Sequence, residues 1–146
     1  MAQQLRMLQD RLPPFPTEVA RAVISSELGA PVESLFSEFS EPVAAASIAQ
    51  VHQARRADTG AQVAVKILRP GIEAAFRRDI DAFHLAAGMI ERLSPASRRL
   101  RPRDVIRHFE SVVSGELDLR LEAAAASEFA ENTKGDKGLS VPMPHW

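Results

Sequence analysis

Lys66 is the residue of this sequence whose surroundings most need a chemical explanation. It stands in Gln62-Val63-Ala64-Val65-Lys66-Ile67-Leu68, an apolar and β-branched run, and only three of the eighteen basic residues are lysines. A lysine buried in such a run is costly unless its ammonium meets a carboxylate or a phosphate; the plain alternative is a strand-edge side chain that reaches water along its aliphatic stem. Ahead of it lies an alanine-rich turn, Val43-Ala44-Ala45-Ala46-Ser47, which suits tight packing between strands. Downstream, Asp118 and Glu122 share one face of an ideal helix, whereas Glu116 lies about 160° from Asp118. A solvated helix surface is the ordinary fate of such charges. Gln50 and His52 alternate on the strand after the turn, where one of them is placed to line a cleft. His52, His84 and His108 have no metal-ligand spacing, so each is read as structural and no metal site is expected.

The elements that must position these residues follow from pattern. Residues 1–12 read as a helix that stops at Leu12-Pro13-Pro14-Phe15-Pro16, where proline favours an extended segment. Thr17 caps a second helix running to Leu28 and ending at Gly29, and a short helix is expected over Pro31 to Phe39. Strands follow: Val43 to Arg55 and Ala61 to Leu68 flank Asp58-Thr59-Gly60, an antiparallel hairpin. A two-residue period puts Lys66 and the small Ala64 on one face, against which a flat ligand can lie. Ile72, Phe76, Ile80, Phe83, Ala87, Ile90 and Leu93 then recur at helical spacing up to Pro95. A third long helix is expected from Pro102 to about Asn132, and the tail Leu139 to Trp146 reads as the beginning of another strand. Ala123 to Ala126 are read as permitting close helix packing.

The chain of 146 residues is about one average domain long, with 18 basic and 19 acidic residues, and this balance gives no reason to expect nucleic-acid binding. Its lack of cysteine rules out disulfides, thiolate metal sites and a cysteine nucleophile, and suits a reducing cytosol. No apolar run approaches the roughly 18 residues of a membrane helix, and the N-terminus has no signal-peptide block. A soluble, cytoplasmic chain without a membrane span is therefore expected. No glycine falls between Gly29 and Gly60, which excludes a Walker-type loop and a Gly-x-Gly-x-x-Gly fingerprint there.

Strand, small-residue turn, Val63-Ala64-Val65-Lys66 strand and glutamate-bearing helix, in that order, resemble the small lobe of a protein-kinase-like fold. More specifically, Pro42-Val43-Ala44-Ala45-Ala46-Ser47-Ile48-Ala49-Gln50-Val51-His52 is similar to the alanine-rich nucleotide loop of the UbiB (AarF/ADCK) family of atypical kinases. Arg69-Pro70-Gly71-Ile72, Glu116-Leu117-Asp118-Leu119-Arg120-Leu121-Glu122 and Leu8-Gln9-Asp10-Arg11-Leu12-Pro13-Pro14-Phe15 match further motifs of that family. Each motif is weak alone; their shared order carries the resemblance.

The resemblance implies an α+β fold, with a short antiparallel sheet and several helices, divided into an N-terminal helical extension (1–39) and a kinase-like small lobe (40–146) truncated at its C-terminus. It implies that Lys66 meets the α/β-phosphates of ATP or ADP and is oriented by Glu122, with Ala44, Ala45, Ala46, Ser47 and Ala64 around the nucleotide. Glu116 and Asp118 become a regulatory motif that faces an extra N-terminal segment. The family's Lys-x-Gly-Gln signature is absent, as are the large-lobe aspartates and asparagine that position magnesium and the attacking hydroxyl. Magnesium binding here is therefore expected only through nucleotide phosphates. The family role implied is support of ubiquinone and isoprenoid-lipid metabolism, with lipid or quinone-biosynthesis proteins as partners and a peripheral membrane location for the full-length form. A non-catalytic remnant or helical interaction module is the competing expectation.

Overall fold

A computed structural model of the chain describes residues 13–93 and 95–145. The helix expected over residues 1–12 lies outside the described residues. The fold divides into two compact units, Met1–Ile72 and Glu73–Trp146.

In the first unit Pro16 sets an extended backbone (φ −56°, ψ 140°) from which helix α1 (Thr17–Leu28) starts. Thr17 is thus the first helical residue and not the cap; its hydroxyl donates across to the Glu41 carboxylate. Gly29 ends the helix in the left-handed conformation, φ 67°, as its position suggests. The helix expected from Pro31 to Phe39 is only a single turn, α2 (Val32–Leu35), and strand β1 (Phe36–Ala45) begins at once. Ladder pairing of Phe36 with Arg56 and Phe39 with Ala54, together with partial burial of both rings against the core, outweighs the weak local helix preference of Ser37 and Glu38.

Strands β1, β2 (Ala49–Arg56) and β3 (Gln62–Leu68) form an antiparallel meander in that order. The segment Val43 to Arg55 is therefore two strands joined at Ala46-Ser47-Ile48. The β2–β3 hairpin turns where Asp58-Thr59-Gly60 predicts: Gly60 has φ 69°, and Arg56 grips Asp58 with Nε–Oδ1 2.9 Å and Nη2–Oδ2 2.5 Å. That fork holds the Asp58 carboxyl well below the usual carboxylate range. β1 is an edge strand with three register shifts, and it carries Pro42 where no ladder N–H is needed on the outer side.

Register separates the sheet into two faces. Gln50 lies opposite Ile67, His52 opposite Val65 and Ala54 opposite Val63. This face is covered: Ala20 and Ile24 of α1, one turn apart, pack with Val32 and Ile67, flanked by Phe15, Leu35, Phe36, Phe39 and Val65. Full burial of one such aliphatic side chain contributes about 1.5–3 kcal/mol. Two polar residues sit in this apolar layer, Gln50 at 1% and His52 at 0% exposure. Phe15 N–H donates to Gln50 Oε1 (3.0 Å), and Gln50 Nε2 donates to Phe15 O (3.2 Å) and to His52 Nε2 (2.9 Å). His52 Nε2 is then an acceptor, which puts the ring proton on Nδ1, 2.8 Å from the Ser40 carbonyl. The imidazole also stacks on Phe39 at 4.6 Å.

The second unit is helical. In α3 (Ile72–Leu93) the expected stripe packs only in part: Ile80 and Ala87 are buried, whereas Phe83, Ile90 and Leu93 stay exposed. A 3₁₀ turn (Pro95–Leu100) leads to α4 (Pro102–Leu117), which runs antiparallel to α3 through an edge-to-face Phe83–Phe109 contact and the Arg103–Glu91 ion pair at 3.1 Å. Arg103 crosses α3 at Gly88, where an added Cβ would come within 2.9 Å of its guanidinium. The long helix expected to reach Asn132 is broken. Asp118 is extended (φ −92°, ψ 92°), and a new helix α5 (Leu119–Asn132) begins after it. Asp118 Oδ1 accepts the Arg120 N–H at 3.0 Å, and its two oxygens take the Arg120 guanidinium at 2.9 Å each. An aspartate that can cap the next helix and anchor a neighbouring arginine favours this break over a continuous helix. Asp118 and Glu122 therefore do not share the face of one helix. No residue of α5, including Ala123 to Ala126, is fully buried. Residues 139–145 are irregular and not a strand, with Pro142 and Pro144 removing two backbone donors.

Two outcomes follow from these contacts. Gln50→Ala leaves the Phe15 backbone and His52 Nε2 without their buried partner, and the unfolding free energy should fall by about 1–3 kcal/mol, read from the urea midpoint. The hydrogen bonds from Arg120 lower the Asp118 pKa. Its contribution to stability is therefore complete above the unfolded value of about 3.9 and is lost as pH falls through the lower folded value. Helical circular dichroism followed through acid should show this loss in the wild-type chain, whereas Asp118→Asn, which keeps a cap but no charge, should lack that component.

Candidate functional site

On β3 the alternation expected from sequence is present: Val63, Val65 and Ile67 turn toward the covered face, and Ala64 and Lys66 are exposed on the other. Ala64 lies opposite Gln53 and Lys66 opposite Val51. The burial cost that a lysine in this run would carry does not arise, because α1 covers the opposite face. The β1–β2 loop stands at the same end of the sheet. Leu68 pairs with Ala49, the first residue after the loop, so Lys66 is about 7 Å along the strand from it.

The loop is closed tightly. Ala46 N–H donates to the Ala49 carbonyl at 2.8 Å, leaving Ser47 and Ile48 at the tip, and Ser47 is exposed. Among the described residues only Arg101 combines a side chain with a positive φ, at 46°. Ala44, Ala45, Ala46 and Ser47 thus occupy backbone conformations open to any residue, and glycine is not required. Ala44 and Ala46 are exposed and Ala45 is half-buried.

Gln50, placed by sequence reasoning as a candidate for the cleft, points instead into the covered layer, where it clamps Phe15; His52 is structural, as expected. The acidic residues belong to the second unit. Glu116 is exposed in the last turn of α4, Asp118 forms the break, and Glu122 is exposed in the first turn of α5. Among the described residues no group of three or more His, Cys, Asp or Glu side chains converges to hold a metal ion. No helix among them is long and apolar enough to cross a membrane. A depression of about 250 Å³ over Gln53, Arg55 and Gln62 lies at the far end of the strands from the loop and is not lined by Lys66.

Arg69, which stands in the Arg69-Pro70-Gly71-Ile72 motif, was not among the site residues expected from sequence. Its backbone N–H donates to the Ile48 carbonyl at 2.8 Å, and its side chain donates to the Ala46 carbonyl from Nε (3.3 Å) and Nη2 (3.2 Å). Its position directly after the lysine strand was the one available signal.

The chain is similar to proteins named probable protein kinase UbiB. That of Marinobacter nauticus is 46% identical over 147 residues, covering 100% of this chain and 27% of the relative. That of Pseudomonas aeruginosa is 44% identical with the same coverage. That of Shewanella piezotolerans is 42% identical over 142 residues, covering 97% of this chain and 26% of the relative. The chain thus spans about a quarter of the length of these relatives. No solved structure matches it. The ABC1 atypical kinase-like domain matches residues 7–146. The three-stranded antiparallel sheet and the α-helices form the α+β small-lobe portion of such a kinase-like fold. With a match over nearly its whole length, the chain belongs to the ABC1 atypical kinase-like family.

Proposed function

We propose that the exposed face of β3 and the alanine-rich loop form the nucleotide site of a UbiB-like atypical kinase or ATPase, taking ATP or ADP. The observation that carries this reading is the placement of Lys66 and Ala64 on one exposed sheet face beside the β1–β2 loop. A lysine ammonium is a compact charge that meets phosphate oxygens, and an alanine two residues before it leaves the sheet surface low enough for a flat base. Ala44, Ala45, Ala46 and Ser47 bring backbone close to the phosphates. Glu116 and Asp118 belong to a regulatory motif. Magnesium accompanies the nucleotide on its phosphates.

The relatives are named as probable protein kinases, and on that basis the nucleotide site is proposed to serve phosphoryl transfer together with the metal-holding carboxylates that this chemistry requires. Support of ubiquinone biosynthesis, partners among lipids or quinone-biosynthesis proteins, and a cytoplasmic or peripheral membrane location belong to the same proposal. A helical interaction module without phosphoryl-transfer activity is the second reading. It is favoured by the exposed Phe83, Met89, Leu93, Val112, Leu121 and Phe129.

Calorimetric titration with MgADP separates the two readings. Lys66→Ala should weaken binding about 10–100-fold, the worth of a hydrogen bond to a charged group. Equal affinities in wild type and Lys66→Ala would reject the site.

Turnover is a separate matter. Phosphoryl transfer needs metal-holding carboxylates and a group that orients the attacking hydroxyl. The 146-residue chain should therefore bind nucleotide while hydrolysing ATP at the background rate. Hydrolysis lost in Lys66→Ala would show that it carries its own catalytic groups.

A further inference from the structure

The tip of the alanine-rich loop is held from behind by one half-buried arginine. Arg69 accounts for the carbonyls on both sides of Ser47: its backbone N–H takes Ile48 O, and its guanidinium takes Ala46 O. The same Nη2 donates to the Pro13 carbonyl at 2.9 Å, and the guanidinium carbon stands 5.8 Å from the centre of the Phe15 ring. Phe15 is in turn fixed by two backbone hydrogen bonds to the buried Gln50 amide. A single cation thus ties the N-terminal strap Pro13–Phe15 to the loop.

A guanidinium on Ala46 O does more than restrain it. Charge-assisted hydrogen bonding polarises the Ala46–Ser47 peptide, which makes Ser47 N–H a stronger donor toward an anion. Lysine cannot reproduce the arrangement, because contacts to two carbonyls from a planar fork need the geometry of arginine.

We propose that Arg69 is a positioning residue that aims and polarises the Ala46–Ser47 peptide toward a nucleotide phosphate, and that it makes this aim depend on the strap at Pro13 and Phe15. The proposal deepens the nucleotide reading above and rests on it. Displacement of the strap withdraws one partner of the guanidinium and the aromatic surface against which it lies, and the loop loses its support.

The test combines amide NMR of the 146-residue chain with MgADP titration of wild type, Arg69→Gln, Arg69→Lys and Phe15→Ala. Arg69→Gln should move the Ser47 amide resonance, reduce protection of the Phe15 amide and weaken ADP binding about tenfold, as expected for lost charge-assisted contacts. Arg69→Lys should fail to restore either the resonance or the affinity. Phe15→Ala should move Ser47 in the same direction by a smaller amount and add nothing to Arg69→Gln. An unmoved Ser47 resonance in both Arg69 variants, or wild-type ADP affinity in them while Lys66→Ala loses affinity, overturns the positioning role. A wild-type chain that does not bind ADP, with Ser47 still moving in Arg69→Gln, overturns the nucleotide reading and reduces Arg69 to a structural clamp.

Discussion

A buried carboxamide has four hydrogen-bonding positions to satisfy, and the few arrangements that satisfy them fix whatever surrounds it. Gln50 gives its oxygen to Phe15 N–H and its nitrogen to Phe15 O and His52 Nε2. The segment before α1 is therefore pinned to the middle strand by polar contacts inside an apolar layer, where a shift of register would leave donors and acceptors unpaired at high cost. His52 passes the constraint on to Ser40 in β1. All three segments, strap, β2 and β1, are thereby held in one alignment that hydrophobic packing alone would specify less sharply.

The exposed face of the sheet depends on that alignment. Helix α1 and the strap cover the side that carries Gln50, His52, Val65 and Ile67, and the pleat then leaves Val51, Gln53, Ala64 and Lys66 on the other. A one-residue slip of β3 would exchange the two sets, burying an ammonium and exposing three aliphatic side chains. Burial of the aliphatic set thus keeps Lys66 on the open face.

The elements legible in the sequence were those fixed by local geometry or strict period. Alternation along β3, the Asp58-Thr59-Gly60 turn, the stop at Gly29 and the long period of α3 all depend on neighbours a few residues away. What pattern could not locate was decided by partners far along the chain. Phe36 to Phe39 became a strand because β2 lies beside it. The helix ended at Leu117 because Asp118 found Arg120 and the next helix N-terminus, an alternative that periodic spacing does not weigh. Gln50 looked like a polar residue for a cleft, since a strand pattern cannot reveal that Phe15, 35 residues earlier, returns to meet it. Arg69 was hidden for the same reason: carbonyls of the strap and of the loop, at Pro13, Ala46 and Ile48, accept from it.

The glycine-free loop is consistent with this economy of constraint. Glycine is needed where a chain must enter positive φ, and the turn from Ala46 to Ala49 never does. Alanine there reduces the conformations open to the unfolded loop and so lowers the entropy cost of ordering it. A loop ordered in this way follows its supports and does not adapt freely to a ligand. Its supports are the Ala46–Ala49 hydrogen bond on the strand side and Arg69 behind. The direction of the Ala46–Ser47 peptide is therefore set by residues before α1 and after β3, through contacts outside the loop itself.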